Sequence, residues 1–333
     1  MNQLPLSTRP LGSTGLRLTE IAFGAASIGN LYRAATDDEA AGAVERAYER
    51  GIRYFDTAPH YGLGLSERRL GRALAGYPRH EYVISTKVGR LLTPNPDPTA
   101  RDTEGFDVPG DLRREWDFSR DGVRRSLDES LLRLGTDHVE IVYAHDPDQF
   151  REGAARDGLE ALAELRAQGV VRAIGVGTNS VDELSGLFRD GLLDVAMLAG
   201  RYTLLENGGL QTALEPALAA GAGIVVVGVY NTGLLSTARP ASDARYNYSQ
   251  APPDLIARAR QLAVACERHG TTLPAAAIAF ALLHPAVSSV AIGMRSADQV
   301  DSNVDRYHQA VPKDLWADLV DAHLIESAAV GLG

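Results

Sequence analysis

The apolar positions of this chain follow two alternating rhythms. Short runs rich in Val, Ile and Ala recur along its length, and between them apolar residues return every three or four positions. The runs are EIAFGA near Ile21, IRYFDTA near Phe55, YVISTKV near Ile84 and VEIVYAHD near Val142. VRAIGVGTN near Ile174, DVAMLAG near Met197, GIVVVGVY near Val226 and SSVAIGM near Val290 complete the set. Continuous apolar runs of this kind are strands covered on both faces, as in parallel sheets. The segments between them read as amphipathic helices. DDEAAGAVERAYERG, residues 37–51, opens on acids and stops on glycine. SRDGVRRSLDESLLRLG sets Val123, Leu127, Leu131 and Leu134 on one stripe. LEALAELRAQG, SVDELSGLFRDG and DLIARARQLAVACERHG follow the same grammar, and several of them end in the glycine that favours a left-handed stop.

Eight strands, each followed by a helix, predict an α/β fold of the (β/α)8 TIM-barrel type. The strand–helix period of roughly 30–40 residues runs through residues 1–333 with no linker, so a single barrel domain is expected. An open doubly wound sheet is the alternative. LPLSTRPLGSTGLRLT precedes the first strand and reads as a hairpin turning at STG, a cap for the bottom of the barrel. KDLWADLVDAHLIES forms a last helix outside the repeats. Two connections are long. Residues 89–118, after the third strand, carry Pro94, Pro96, Pro98, Pro109 and Trp116. Residues 231–253, after the seventh, carry Arg239, Tyr246 and Tyr248. Long connections without regular structure are usually lids or disordered, and both of these would rise over the C-terminal face, where barrel active sites lie.

Composition narrows the class. Acidic residues outnumber basic ones by 43 to 33, a formal charge of -10, which argues against a nucleic-acid partner. Cys266 is the lone cysteine, so neither an internal disulfide nor a cysteine metal cluster is available. MNQLPLSTRP lacks the pattern of a signal peptide, and no apolar run approaches the ~20 residues of a membrane helix. No membrane role and a cytoplasmic location are therefore expected.

The predicted strand ends carry the candidate chemistry. FDTAPHYG supplies Asp56 and Tyr61, STKVG supplies Lys87, and YAHDPD supplies His145. In a barrel these ends converge. A tyrosine with its ordinary pKa near ~10 exchanges protons poorly at neutral pH. A lysine ammonium beside it favours the phenolate and is expected to lower that pKa, while a carboxylate keeps the lysine charged. A neutral histidine can hold a substrate oxygen. Asp56, Lys87, Tyr61 and His145 thus form a coherent unit for interconverting a carbonyl and an alcohol. Each residue alone has a plainer reading: a loop-ordering acid, a rim aromatic, an ion pair, a strand-end cap. The joint pattern on successive strand ends is what points to catalysis.

FDTAPHYGLGLSERRLGRAL, TKVG, the strand-end His145 and GVGTN together resemble the aldo-keto reductase superfamily, over roughly Thr8 to Arg306. The resemblance implies a barrel that binds an extended NAD(P)H without a Rossmann fold. It places Asp56, Tyr61, Lys87 and His145 on the catalytic tetrad, with Asp56 also facing the cofactor. Gly24, Ala25, Thr178, Asn179, Tyr230, Asn231, Gly233 and Leu234 fall on its cofactor positions. Thr178 and Asn179 would hold the carboxamide, Tyr230 would stack on the nicotinamide, and Gly233 and Leu234 would lie along the pyrophosphate. Gly293, Arg295, Gln299 and Asn303, in IGMRSADQVDSN, fall where the adenosine end is wrapped. Two positions depart from the family pattern. Ala199 stands where a carboxamide-binding Gln is common. Gln299 stands where NADPH-dependent members often carry Arg, which favours NAD with NADP possible. AGRYTLLE, GVYNTGLL and the Tyr-rich second lid narrow the resemblance to the branch oxidising L-fucose or D-threo-aldoses at C1, with a pyridoxal 4-dehydrogenase relative. That implies a small-molecule sugar or aldehyde substrate, touched by Tyr61 and His145 and covered by Trp116 and Tyr248.

Other readings fit less well. A Rossmann dehydrogenase needs GxGxxG, and both GLGLSE and GVGTNS lack the third glycine. A Schiff-base lyase needs a neutral Lys87, which Asp56 opposes. A metal hydrolase needs clustered ligands, and His145 with Asp146 and Asp148 is a weak set in which DPD reads as a turn. A general NADPH-dependent aldehyde or ketone reductase and a non-catalytic nicotinamide-binding regulator remain. Oligomeric state is not encoded in any heptad or apolar patch.

Overall fold

A computed structural model describes residues 5–97, 99–246 and 249–331. The eight apolar runs are strands: β1 Ile21–Gly24, β2 Tyr54–Asp56, β3 Val83–Val88, β4 Ile141–His145, β5 Ala173–Thr178, β6 Val195–Ala199, β7 Gly223–Val227 and β8 Val287–Gly293. They pair in parallel in chain order, and β8 pairs with β1 to close the barrel. The (β/α)8 expectation is met. Around the barrel run α1 Asp37–Glu49, α2 Leu65–Leu74, α3 Arg120–Leu134, α4 Ala154–Ala167, α5 Leu184–Arg189, α6 Glu215–Ala219, α7 Pro253–Arg268, α8 Leu273–Ala281, α9 Ala297–His308 and α10 Lys313–Asp321.

Local chemistry sets the helix ends. Thr36 and Glu39 exchange side-chain-to-backbone hydrogen bonds at the start of α1, a capping box that satisfies two free amides. Ser119 caps α3, and Gly135 ends it in the left-handed region. The seventh unit carries two helices. Its second, α8, comes from LPAAAIAFA and is buried nearly all round, which its even apolarity requires. Among the described residues no helix is long and apolar enough to cross a membrane.

The first long connection is not structureless, contrary to expectation. Residues Arg90–Pro94 and Leu112–Trp116 pair antiparallel, with Arg90 opposite Trp116. Alternation of exposed and covered positions along LRREW lets one face of this ribbon pack while the other meets water. The second connection carries a minimal antiparallel pair, Arg245–Tyr246 with Ser249–Gln250. Pro98 and Tyr248 lie outside the described residues.

The opening hairpin pairs Thr8–Pro10 with Arg17–Thr19. Its Leu11, Leu16 and Leu18 pack against Ala22, Tyr54, Tyr143, Ala173, Val195 and Met197, which fill the barrel interior. The hairpin is the bottom plug that the sequence predicts. Leu18 is fully buried there, so Leu18→Ala should cost about 2–5 kcal/mol in a denaturant titration. An unchanged midpoint would mean that the plug contributes nothing to stability.

Candidate active site

Parallel pairing brings the predicted strand ends together by register. Gly24 lies opposite Asp56, Asp56 opposite Ser85, Lys87 opposite Tyr143, and His145 opposite Gly177. The loop after β2 then bends sharply. Gly62, Leu63 and Gly64 all have positive φ, at 63°, 51° and 79°. A Cβ on Gly62 would lie 2.2 Å from the Gly29 carbonyl oxygen, so a side chain there has no room. This turn aims Tyr61 back over the barrel mouth. Glu67, from the same motif, is completely buried. It accepts from Thr86 Oγ1 at 2.7 Å and from Arg133 Nε at 2.6 Å, tying α2 to β3 and α3.

Lys87 is the centre of the site. Its Nζ donates to Asp56 Oδ2 at 2.7 Å, to the Thr57 carbonyl at 3.0 Å and to Tyr61 Oη at 3.0 Å. An ammonium has three protons and no lone pair, so all its donors are engaged. The Tyr61 oxygen must accept from Lys87, and its own proton is left to point elsewhere. Ser85 Oγ donates to the second Asp56 oxygen at 2.7 Å.

The electrostatics partly reverse the sequence reading. Burial pushes the Tyr61 phenol up to about 12, and Lys87 opposes that rise without overcoming it. Tyr61 therefore rests as a phenol, because desolvating a phenolate costs more than one shared ammonium returns. Burial also pushes the Lys87 ammonium down, but Asp56 and Tyr61 outweigh it and raise its pKa. Burial holds the Asp56 carboxyl above its ordinary range, against the pull of Lys87 and Ser85. With the Lys87 pKa raised above its already high ordinary value, the pair is a carboxylate facing an ammonium at 2.7 Å.

His145 sits 6% exposed at the end of β4. Its Nδ1 is buried with no partner, and its Nε2 lies 3.6 Å from Asp146 Oδ2. Burial, and then Arg90 and Lys87, push its pKa well below the ordinary value, so the ring is neutral as expected. The Tyr61 and His145 rings meet edge-on at 5.8 Å.

Several residues at the mouth were not singled out by the sequence reading. His60 packs edge-on against His145 at 5.3 Å and against Phe106 at 5.2 Å. Arg90 donates to Asp146 Oδ2 at 2.7 Å and to Gln149 Oε1 at 3.1 Å, and lies 4.3 Å above the Trp116 ring. Arg114 donates to the His60 carbonyl at 2.8 Å and pairs with Asp102. The available signal was their position: His60 sits inside the YFDTAPHYG motif, and Arg90 is three residues past Lys87. DPD does turn, through Pro147–Gln149, but Asp148 also accepts from Thr178 Oγ1 at 2.6 Å.

The remaining predicted positions are more dispersed. Trp116 is half-buried in an aromatic stack, 5.9 Å from Phe118 and 5.7 Å from Phe150. Gly24 ends β1, and Ala25 is buried just after it. Asn179 follows β5, and its carbonyl accepts from Arg201 Nε at 2.6 Å. Tyr230, expected at the nicotinamide, donates its hydroxyl to Asn303 at 2.7 Å, a residue expected at the adenosine end. Asn231, Thr232 and Gly233 are consecutive left-handed residues, with φ of 46°, 58° and 98°. Asn231 is 3% exposed, and both polar atoms of its side chain lack a partner. Leu234 is buried behind them. Gly293 ends β8, and Arg295 reaches back to the Leu31 carbonyl. Exposed Gln299 accepts from the Arg295 amide at 2.8 Å. Ala199 ends β6, with no polar group in its side chain.

The sequence profile of the Aldo/keto reductase family matches residues 20–323. The chain belongs to that family. It is an NAD(P)-dependent oxidoreductase. It is 46% identical to the D-threo-aldose 1-dehydrogenase of a Pseudomonas species, over 96% of this chain and 98% of the relative. It is 36% identical to the pyridoxal 4-dehydrogenase of Microbacterium luteolum, over 95% and 97%. Among solved structures, the holo form of an aldo-keto reductase from Bacillus halodurans superposes with a TM-score of 0.76 at 25% identity, covering 97% of each chain.

Neutral imidazoles make a direct prediction. His60 is pushed down to about 2 by burial and then by Arg90 and Arg114. Imidazole carbon NMR shifts of His60 and His145 should stay constant between about pH 5 and about pH 8, where an ordinary histidine titrates. A titration midpoint near pH 6.5 for either would contradict the buried geometry.

Proposed function

We propose that this enzyme oxidises the C1 hemiacetal of an aldose, of the L-fucose or D-threo-aldose type, to a lactone. Tyr61 is the proton donor and acceptor in this reading. The observation that carries it is the saturated Lys87 ammonium at 3.0 Å from Tyr61, which leaves the phenol proton directed away from Lys87. In oxidation, Tyr61 as phenolate takes the proton of the C1 hydroxyl. In reduction, the phenol returns it. Lys87 stabilises the phenolate as it forms, Asp56 holds Lys87 charged, and neutral His145 orients the substrate oxygen through an N–H.

The cofactor residues fit a nicotinamide dinucleotide. Asn231 keeps two unpartnered side-chain polar atoms in a buried position, while the amides of Asn231, Gly233 and Leu234 donate to carbonyls of the same turn, so the side chain is what the loop offers a ligand. Asp56, Gly24, Ala25, Thr178, Asn179, Tyr230, Asn231, Gly233, Leu234, Gly293, Arg295, Gln299 and Asn303 would hold it. When bound, the nicotinamide supplies the hydride acceptor for the C1 hydrogen.

A neutral polyhydroxylated substrate suits the mouth. Arg90 and Arg114 face Asp102, Glu104 and Asp146, so these two guanidinium charges are already answered by carboxylates. The 46% identity to a D-threo-aldose 1-dehydrogenase over nearly both full lengths supports the sugar class. Oxidation of pyridoxal at its 4-position, through its internal hemiacetal, is the second reading, favoured by the 36% relative.

Replacing Tyr61 by Phe should lower turnover by about 10²–10⁴-fold and leave NAD affinity nearly unchanged. The assay is reduced-nicotinamide absorbance with L-fucose, D-arabinose, L-galactose or pyridoxal. Wild-type rates in the variant would remove Tyr61 from the mechanism. Rapid NADPH consumption with simple aldehydes, and no sugar oxidation, would make the enzyme a general carbonyl reductase.

NAD is the proposed cofactor. Gln299 offers no charge to a 2′-phosphate, and Arg295 is turned onto the Leu31 carbonyl. Gln299→Arg should raise the NADP/NAD ratio of kcat/KM by about tenfold, the scale of one charge-assisted hydrogen bond. A wild-type enzyme that already prefers NADP would overturn the assignment.

A further inference from the structure

Beneath the Lys87–Asp56 pair, the barrel interior holds three hydroxyl groups that the proposed chemistry does not use. Ser85 Oγ is 2.7 Å from Asp56 Oδ1, Tyr54 Oη is 3.0 Å from Ser85 Oγ, and Tyr143 Oη is 3.1 Å from Tyr54 Oη. Tyr54, Ser85 and Tyr143 have no solvent exposure at all. They come from β2, β3 and β4, the strands that carry Asp56, Lys87 and His145.

Proton counting gives this chain one direction. A carboxylate only accepts, so Ser85 gives its single proton to Asp56. Ser85 must then accept from Tyr54. Tyr54, its proton committed to Ser85, must accept from Tyr143. Three buried O–H dipoles therefore point the same way and end on one carboxylate oxygen. Aligned hydrogen bonds polarise one another, so the last donor in the chain is stronger than an isolated serine. Phe and Ala would fill this layer without any desolvated hydroxyl. What the hydroxyls supply is a donor for the Asp56 oxygen that Lys87 leaves free.

We propose that Ser85, Tyr54 and Tyr143 are positioning residues, a one-way hydroxyl chain that clamps Asp56 as the anion with Oδ2 toward Lys87 and thereby sets how readily Tyr61 ionises. This rests on the reading of Tyr61 as the proton-transfer group. Without the Ser85 donor, Asp56 holds more charge on its oxygens and draws the shared proton of Lys87 toward itself. Lys87 then donates less to Tyr61, and the phenolate is harder to form. Among the described residues, the other charged or titratable groups around the unit are Asp146 and His145 at the end of β4, Arg90 and Arg114 on the ribbon, and His60 after β2. None of them is altered by changes in the chain.

The test is the pH profile of kcat/KM for NAD-dependent oxidation of the fastest among L-fucose, D-arabinose and L-galactose. It is measured for Ser85→Ala, Tyr54→Phe and Tyr143→Phe beside thermal melting of each. The rising limb, set by ionisation of Tyr61, should move to higher pH, most for Ser85, less for Tyr54 and least for Tyr143, by up to about one unit. That is about a tenfold loss at neutral pH, recovered at high pH. Ser85→Thr, which keeps the hydroxyl, should restore the wild-type limb. Losses equal at every pH, or lowered melting with an unshifted profile, would make the chain ordinary core packing and overturn the proposal. A Tyr61→Phe enzyme with wild-type turnover would overturn the reading of Tyr61 and the proposal with it. A dead Tyr61→Phe enzyme beside unshifted chain variants would overturn the chain alone.

Discussion

The ion pair between Lys87 and Asp56 is the constraint around which this molecule is arranged. Both side chains are almost wholly buried, at 2% and 4% exposure. Removing two charges from water is costly, and mutual attraction offsets that cost only when the geometry is good and the remaining protons and lone pairs are satisfied. Here they are. Lys87 spends its three donors on Asp56, Thr57 and Tyr61, and Asp56 takes Ser85 on its other oxygen. Loss of either partner would leave an unanswered charge inside a barrel, which is a far larger penalty than loss of an exposed pair.

The fold provides that geometry through parallel register. Strand ends on one face of a closed barrel stay at fixed spacing because each strand is hydrogen-bonded on both sides. Groups remote in sequence are thus held by rigid elements, and the side chains around them come from loops. The division is visible at the mouth. Asp56, Lys87 and His145 stand on strands, whereas His60, Arg90, Phe106, Arg114 and Trp116 come from the β2 loop and the ribbon after β3. Asp146 joins them at a φ of 44°, a strained position for a residue with a side chain, and its carboxylate is held by Arg90.

Burial and charge oppose each other at Tyr61, and the balance is a structural quantity. One ammonium does not turn a buried phenol into a phenolate. The site as folded therefore favours the protonated tyrosine, and the Lys87 ammonium beside it opposes that preference.

Much of this was legible in the sequence. Apolar runs at a regular period specified the barrel, because buried parallel strands and amphipathic helices have different periodicities. Asp56, Lys87 and His145 were legible because they lie at strand ends, and Tyr61 because it follows Asp56 by five residues in a stretch that Pro59 and Gly62 mark as a turn. The paired ribbon after β3 was hidden by its prolines and by a partner strand some twenty residues away. His60, Arg90 and Arg114 were hidden because a single charged or polar residue on a loop carries no period. The sign of the shift at Tyr61 and the hydroxyls of Tyr54, Ser85 and Tyr143 needed the tertiary structure. Desolvation depends on what surrounds a group in space, and a hydrogen-bond chain across three strands exists only once their register is set.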